Sequence, residues 1–210
     1  MKNLILIGGG GHCKSVIEAT ESSREYNILG ILDISDNVGK SICGVKVIGT
    51  DNNIVDFLKE AFFIISVGYI KNDDLLRQIL FDKIKSYGGN FATVIASTAS
   101  VSKLSYIEEG TVVMHQSCIN ADVKIGKNCI INTFANIEHD VQIGDFSHVS
   151  TGAMVNGGVT IGKSVIIGSQ STIKQGISIS DNTFIGASSY VNRNIIESGV
   201  YVGIPVRKIY

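Results

Sequence analysis

The sequence has no excess of charge of either sign: 18 lysines and arginines stand against 19 aspartates and glutamates, for a formal charge of -1. That balance leaves no broad positive field with which to hold nucleic acid or an anionic membrane, so the expected partners are small molecules and further copies of the chain. Long apolar runs are missing at the start. Leu4 to Ile7 runs straight into glycines, too short for the apolar stretch of a signal peptide and far too short to span a bilayer. A cytoplasmic location is the expectation. Metal-binding or redox spacing is also absent, because Cys13, Cys43, Cys118 and Cys129 form no C-x-x-C pair. They read as small buried residues in a reducing compartment, and no metal is expected. Hydrophobic residues make up 44% of the chain, enough to bury a core.

What the chain does have is a repeat. Every sixth residue from Ile95 to Val191 is Ile or Val, through Val101, Ile107, Val113, Ile119, Ile125, Ile131 and on to Ile185 without a break. With Ile and Val at about a quarter of the chain, such a run has a chance probability on the order of one in ten billion, and it marks a solenoid. Four places after each aliphatic stands a small or β-branched residue, as at Ala99, Ser105, Thr111, Ser117, Val123 and Cys129, which makes a second inward stripe. A period of six fits neither a helix nor a plain alternating strand. It fits a short strand plus a corner, with stacked units burying one aliphatic column.

This run, from about residue 92 to the end, resembles the hexapeptide-repeat acyltransferases. The resemblance implies a left-handed parallel β-helix, a triangular prism of three hexapeptides per coil, assembled as a homotrimer. Residues eighteen apart then stand one above another, roughly 4.8 Å apart along the axis. The prism also admits a plainer reading, as a scaffold without catalysis.

Residues 1–90 read as a separate domain, and 91–210 as the solenoid with its C-terminal tail. Leu4–Ile7 is an expected strand, Gly8–Gly11 a turn, Lys14–Thr20 a helix and Ile28–Leu32 a strand that ends at Asp33. Strands at 45–48 and 62–67 and helices at 53–59 and 73–86 continue the alternation. The outcome is a small Rossmann-like α/β domain with a parallel sheet. Its glycine turn at a helix N-terminus is suited to a phosphate. An NAD-binding fingerprint would need a third glycine where Cys13 stands, which counts against a hydride-transferring enzyme.

Together the two halves resemble a narrower group, the sialic acid O-acetyltransferases and the N-acetyltransferases of UDP-4-amino sugars of the bacillosamine type. The resemblance rests on Gly10-Gly11-His12, Asp33, the segment Asn132 to Asp140, and Ile143 to His148. It implies that Gly10, Gly11, His12, Asp33 and Gly68 bind a nucleotide sugar and that acetyl-CoA is the co-substrate. It further implies His139 as general base, Asn132 at the acetyl group, His148 beside the thioester, and Ser169 and Ala187 along the pantetheine arm. The residue types fit the chemistry. Histidine titrates nearest neutrality, and the adjacent Asp140 can hold one imidazole nitrogen protonated. Gly157, eighteen residues past His139, falls one coil above it and offers its N–H to a developing oxyanion and to the acetyl oxygen of acetyl-CoA. His115 is out of step with His139 by a third of a coil and reads as a surface residue. Cys129 falls in the inward small-residue stripe and Cys118 lacks a neighbouring base, so neither is read as an acyl-enzyme nucleophile. The expected reaction is direct transfer of acetyl to the amine of a nucleotide-linked 4-amino-4,6-dideoxy sugar. Acetylation of a sialic acid hydroxyl, or nucleotide-sugar binding without turnover, are the alternatives.

Overall fold

The computed structural model describes residues 1–68 and 75–210, in two compact units, Met1–Ser97 and Thr98–Tyr210. The first unit opens with β1 (Lys2–Ile7), α1 (Gly11–Ser23) and β2 (Tyr26–Leu32). A short hairpin of β3 (Ser41–Ile42) and β4 (Val45–Gly49) follows, then the single turn α2 (Ile54–Phe57), β5 (Phe62–Ile65) and α3 (Leu76–Ser86). The sheet order is β3-β4-β2-β1-β5, parallel except for the β3/β4 hairpin. β1 lies in the interior of this order, and Leu4, Ile5, Leu6 and Ile7 are all buried. That is why the strand is aliphatic at successive positions rather than at alternate ones. α1 covers the sheet with Cys13, Val16, Ile17 and Ala19, and its buried Thr20 hydroxyl returns a hydrogen bond to the Val16 carbonyl.

Two elements are shorter than the pattern suggests. The strand expected over 62–67 stops at Ile65, because the Arg77 guanidinium takes the carbonyls of Ile65 and Val67 that would otherwise continue a ladder. The helix expected over 53–59 is one turn, closed when the Phe57 carbonyl accepts from both Glu60 and Ala61. The helix expected from Asp73 is described from Leu76, and its first residues lie outside the described part of the chain.

The second unit is a left-handed parallel β-helix. Its faces are stacks of two-residue strands paired in parallel at an interval of eighteen, as in Cys118↔Asn136↔Met154, Lys124↔Gln142↔Thr160 and Ile130↔His148↔Ile166. The aliphatic of each hexapeptide points inward, and from Val113 to Val191 every one is buried. The small-residue stripe is buried beside it. Where that stripe is hydroxylic it is satisfied: Thr111, Ser147 and Ser171 each donate to a glycine carbonyl of the next coil and accept a backbone N–H from the same coil. The prism ends in a hairpin of Gly199–Gly203 and Val206–Lys208.

The corners carry the chemistry, and their backbone has a fixed demand. From Gly110 to Ser188 the second residue of each corner adopts the left-handed conformation, with φ of 60° at Asp122, 62° at Asp140, 60° at Phe134 and 60° at Gln170. Glycine meets that demand without strain at Gly152, Gly158 and Gly176.

Candidate active site

After the strand Asn136–Ile137 the chain turns a corner at His139 and Asp140, so both side chains project from an edge of the prism. His139 Nδ1 lies 2.8 Å from Asp140 Oδ2. With Nδ1–H donated to the carboxylate, Nε2 is left as the proton acceptor. The hydrogen bond to Asp140 raises the His139 pKa above its ordinary value, opposed by a loss of hydration and aided by the charges of Asp140 and Glu138. Glu138 is itself held in place by the Asn136 amide at 3.1 Å.

One coil above, the Gly158 N–H donates to the His139 carbonyl at 2.9 Å, which fixes Gly157 directly over the histidine. A Cβ on Gly157 would stand 2.7 Å from both Cε1 and Nε2 of the ring, so the imidazole occupies the place a side chain would need. The Gly157 N–H donates to nothing among the described residues. Another corner shows the contrast: there the N–H groups of Lys127 and Lys163 are taken by the carboxylates of Asp145 and Asp181, at 3.0 and 2.8 Å. A free backbone donor beside a paired histidine is suited to a developing oxyanion.

His148 opens the strand His148–Val149, half-buried on a different face. Its Nε2 lies 3.3 Å from Asn132 Nδ2, and Asn132 Oδ1 accepts from the Thr133 N–H at 2.8 Å. Ser169 and Ala187 stack on the corner next to this face, where the Ser188 N–H donates to the Ser169 carbonyl at 2.8 Å. Thus His139, Asp140 and Gly157 share one corner. Asn132 and His148 occupy the face opposite that corner, with Ser169 and Ala187 at its margin. His115 stands at the foot of the Ser169 column, hydrogen-bonded to the Thr98 hydroxyl at 2.8 Å.

In the first unit the sheet order changes direction between β1 and β5, the place where α/β sheets open a crevice at their carboxyl ends. Gly10 caps α1 without a side-chain bond, and a Cβ on Gly10 or Gly11 would meet nothing within 4 Å. The helix N-terminus is therefore open. His12 and Gly68 face each other across this point, a Gly68 Cβ falling 3.2 Å from the His12 Cβ. Burial, and then the Arg77 cation, lower the His12 pKa to about 4, so its ring is neutral at physiological pH. Its Nε2 is buried with no hydrogen-bond partner among the described residues. Asp33 follows β2, and its Oδ2 accepts from the Asn37 amide at 2.7 Å. Gly9 packs beneath it, with space for no Cβ between Asp33 and Ile42. Cys13 is buried below the turn, and loss of hydration pushes its thiol up to about 11, which removes it as a nucleophile.

Sequence reasoning missed Arg77 and Asn37. An arginine in an amphipathic helix reads as a surface residue, and nothing local signals that Arg77 binds strand-end carbonyls ten and twelve residues earlier. Among the described residues no His/Cys/Asp/Glu cluster could hold a metal, and no helix is long and apolar enough to cross a membrane.

Known proteins share both units. Residues 3–84 match the PglD N-terminal domain, and residues 140–175 match the bacterial transferase hexapeptide of six repeats. A UDP-N-acetylbacillosamine N-acetyltransferase of Bacillus subtilis is 32% identical over 119 residues, which span 54% of this chain and about half, 52%, of that relative's length. The crystal structure of PerB from Caulobacter crescentus, in complex with CoA and GDP-perosamine, superposes with a TM-score of 0.91 at 31% identity, covering 99% of this chain and 97% of the other. The acetyltransferase domain of PglB from Neisseria gonorrhoeae, in complex with acetyl coenzyme A, has the same TM-score at 26% identity and covers 99% of both chains. With that identity to PerB over nearly its whole length, the chain belongs to the hexapeptide-repeat acetyltransferase family that includes the bacillosamine and perosamine N-acetyltransferases.

Proposed function

We propose that this protein transfers the acetyl group of acetyl-CoA to the amine of a nucleotide-linked 4-amino-4,6-dideoxy sugar, by direct attack within a ternary complex. The observation that carries the reading is the corner of His139, Asp140 and Gly157: a base with its tautomer fixed, beside a backbone donor that is free. The neutral sugar amine attacks the thioester carbonyl, and His139 Nε2 takes the proton that the nitrogen sheds. Asp140 stabilises the imidazolium, and the Gly157 N–H receives the oxyanion. Collapse of the tetrahedral intermediate breaks the carbon–sulfur bond, and the departing thiolate recovers the proton from His139. The products are the acetamido sugar and CoA. No metal has a role in this scheme.

In this reading residues 1–90 hold the nucleotide sugar, with phosphate at the open N-terminus of α1 and with His12, Asp33 and Gly68 around it. Residues 91–210 carry the transfer. Support for a homotrimer comes from the prism itself. The base stands on one corner, whereas His148, Ser169 and Ala187 stand on and beside the opposite face, with the aliphatic core between. A single pantetheine arm touches both sets only when they come from two copies. The balanced charge and the lack of a membrane-spanning helix among the described residues are in keeping with a cytoplasmic enzyme without nucleic-acid partners.

A thiol-release assay with acetyl-CoA against a panel of nucleotide amino sugars and free sialic acid tests this reading. Release is expected with an amino sugar. Release with sialic acid alone would make the acceptor a hydroxyl, and ligand binding without any release would make the protein a scaffold.

A further inference from the structure

The Asn132 side chain is oriented at both ends, and this determines more than its own position. Its Oδ1 accepts the Thr133 N–H at 2.8 Å, so the amide cannot be turned around: the group facing His148 is the NH₂. That NH₂ has only hydrogens to offer. Its partner, His148 Nε2 at 3.3 Å, must therefore present a lone pair. An imidazole with a lone pair on Nε2 is neutral and carries its hydrogen on Nδ1, since imidazolium has no lone pair on either nitrogen.

We infer that Asn132 is a positioning residue that holds His148 in the neutral Nδ1–H tautomer and occupies its only basic lone pair. Two histidines belong to the proposed site, and either imidazole alone would serve as a base. Asn132 removes the ambiguity. His148 has no lone pair left for a proton, whereas His139 has its Nδ1–H fixed by Asp140 and its Nε2 open. Both rings are thus held in the Nδ1–H tautomer, His139 by a carboxylate at Nδ1 that leaves Nε2 open and His148 by an amide that occupies Nε2. The assignment rests on the proposed acetyl transfer for its use, but on hydrogen-bond geometry for its existence. It also gives Asn132 a different task from contacting the acetyl oxygen, because one end of its amide and one of its two N–H bonds are already engaged within the prism.

The backbone of Asn132 keeps its place by bonds that any side chain preserves: its N–H donates to the Val149 carbonyl, and its carbonyl accepts from Ala135. Variants at this position therefore alter the amide without removing the coil. The test is nitrogen NMR of the full-length protein labelled in its histidine rings, at neutral pH, with His148 assigned through a His148→Gln variant. Wild type is expected to show Nε2 of His148 in the unprotonated range and Nδ1 in the protonated range. Asn132→Asp replaces the donor by an acceptor and should move Nε2 to the protonated range. It should also lower the single-turnover rate by about tenfold, the worth of roughly one net hydrogen bond. A wild-type His148 that is protonated at Nε2 overturns the inference, as does an Asn132→Asp protein whose His148 spectrum is unchanged. The spectrum is decisive whether or not turnover is found, so failure of the acetyl-transfer reading is seen separately in the thiol-release assay.

Discussion

Gly157→Ala is the substitution for which the structure supplies the clearest magnitude. The backbone at Gly157 is not left-handed, so alanine is acceptable there on conformational grounds. The new methyl, however, would lie 2.7 Å from Cε1 and Nε2 of His139, at least 0.7 Å inside ordinary van der Waals contact. The ring has to move by most of an ångström, and its hydrogen bond of 2.8 Å to Asp140 has to stretch or break as it does so. A displacement of about 1 Å in a reacting group costs on the order of 10²-fold in rate. The expected outcome is a kcat about 10²-fold lower, with thermal stability nearly unchanged, because an exposed ring can yield without disturbing the core. The neighbouring glycine supplies the control. Gly158 has φ of +67° and only one atom near its missing Cβ, the Gly176 Cα at 4.0 Å. Gly158→Ala should therefore lose about 1 kcal/mol of stability through backbone strain and keep much of its activity. Single-turnover rates and thermal melts of the two variants check the contrast. A Gly157→Ala enzyme within threefold of wild-type kcat, or one whose main defect is stability, would refute the steric argument and with it the placement of His139 as base.

His139→Ala should cut kcat by about 10²–10⁴-fold while leaving acetyl-CoA affinity nearly intact, and equilibrium binding of CoA beside single-turnover kinetics separates the two effects. The active form of His139 is the neutral imidazole, and its pKa is raised by Asp140, so activity should fall as pH drops through a value above that of an ordinary histidine. Asp140→Asn should shift that acid limb of the kcat/KM profile to lower pH and reduce the plateau, and an unshifted limb would detach Asp140 from the titrating group. Replacing Gly10 or Gly11 by leucine meets no atom of the chain within 4 Å of the added Cβ. Such variants should stay folded and raise the KM for the sugar nucleotide alone, and an equal rise for acetyl-CoA would count against a nucleotide site at that turn.

The hexapeptide register was legible because a solenoid converts sequence spacing into position. Each corner must repeat every eighteen residues for the parallel pairs to form, so counting from His139 leads to Gly157, and the structure has the Gly158 N–H on the His139 carbonyl. In the same way the aliphatic stripe named the core residues, since one face of each two-residue strand has to point inward. The first unit was legible as an alternation of strands and helices, with its glycine turn at the head of α1.

Other features depend on contacts that no period encodes. Arg77 reaches back to the carbonyls of Ile65 and Val67, and the resulting buried cation helps keep His12 neutral; neither fact follows from residue type, because both depend on where α3 packs against the end of β5. The imidazole that fills the space below Gly157 and the amide that turns its NH₂ toward His148 are choices of rotamer, set by hydrogen bonds to the adjacent Asp140 and Thr133. By itself the sequence determined the prism, its register and the residue types on each corner, because backbone pairing at a fixed interval leaves one arrangement open. Only the tertiary structure decided that His139 and His148 stand on opposite sides of the prism, the first with its Nε2 open and the second with its Nε2 engaged, since side-chain direction and hydrogen-bond polarity are set by the surrounding atoms rather than by spacing along the chain.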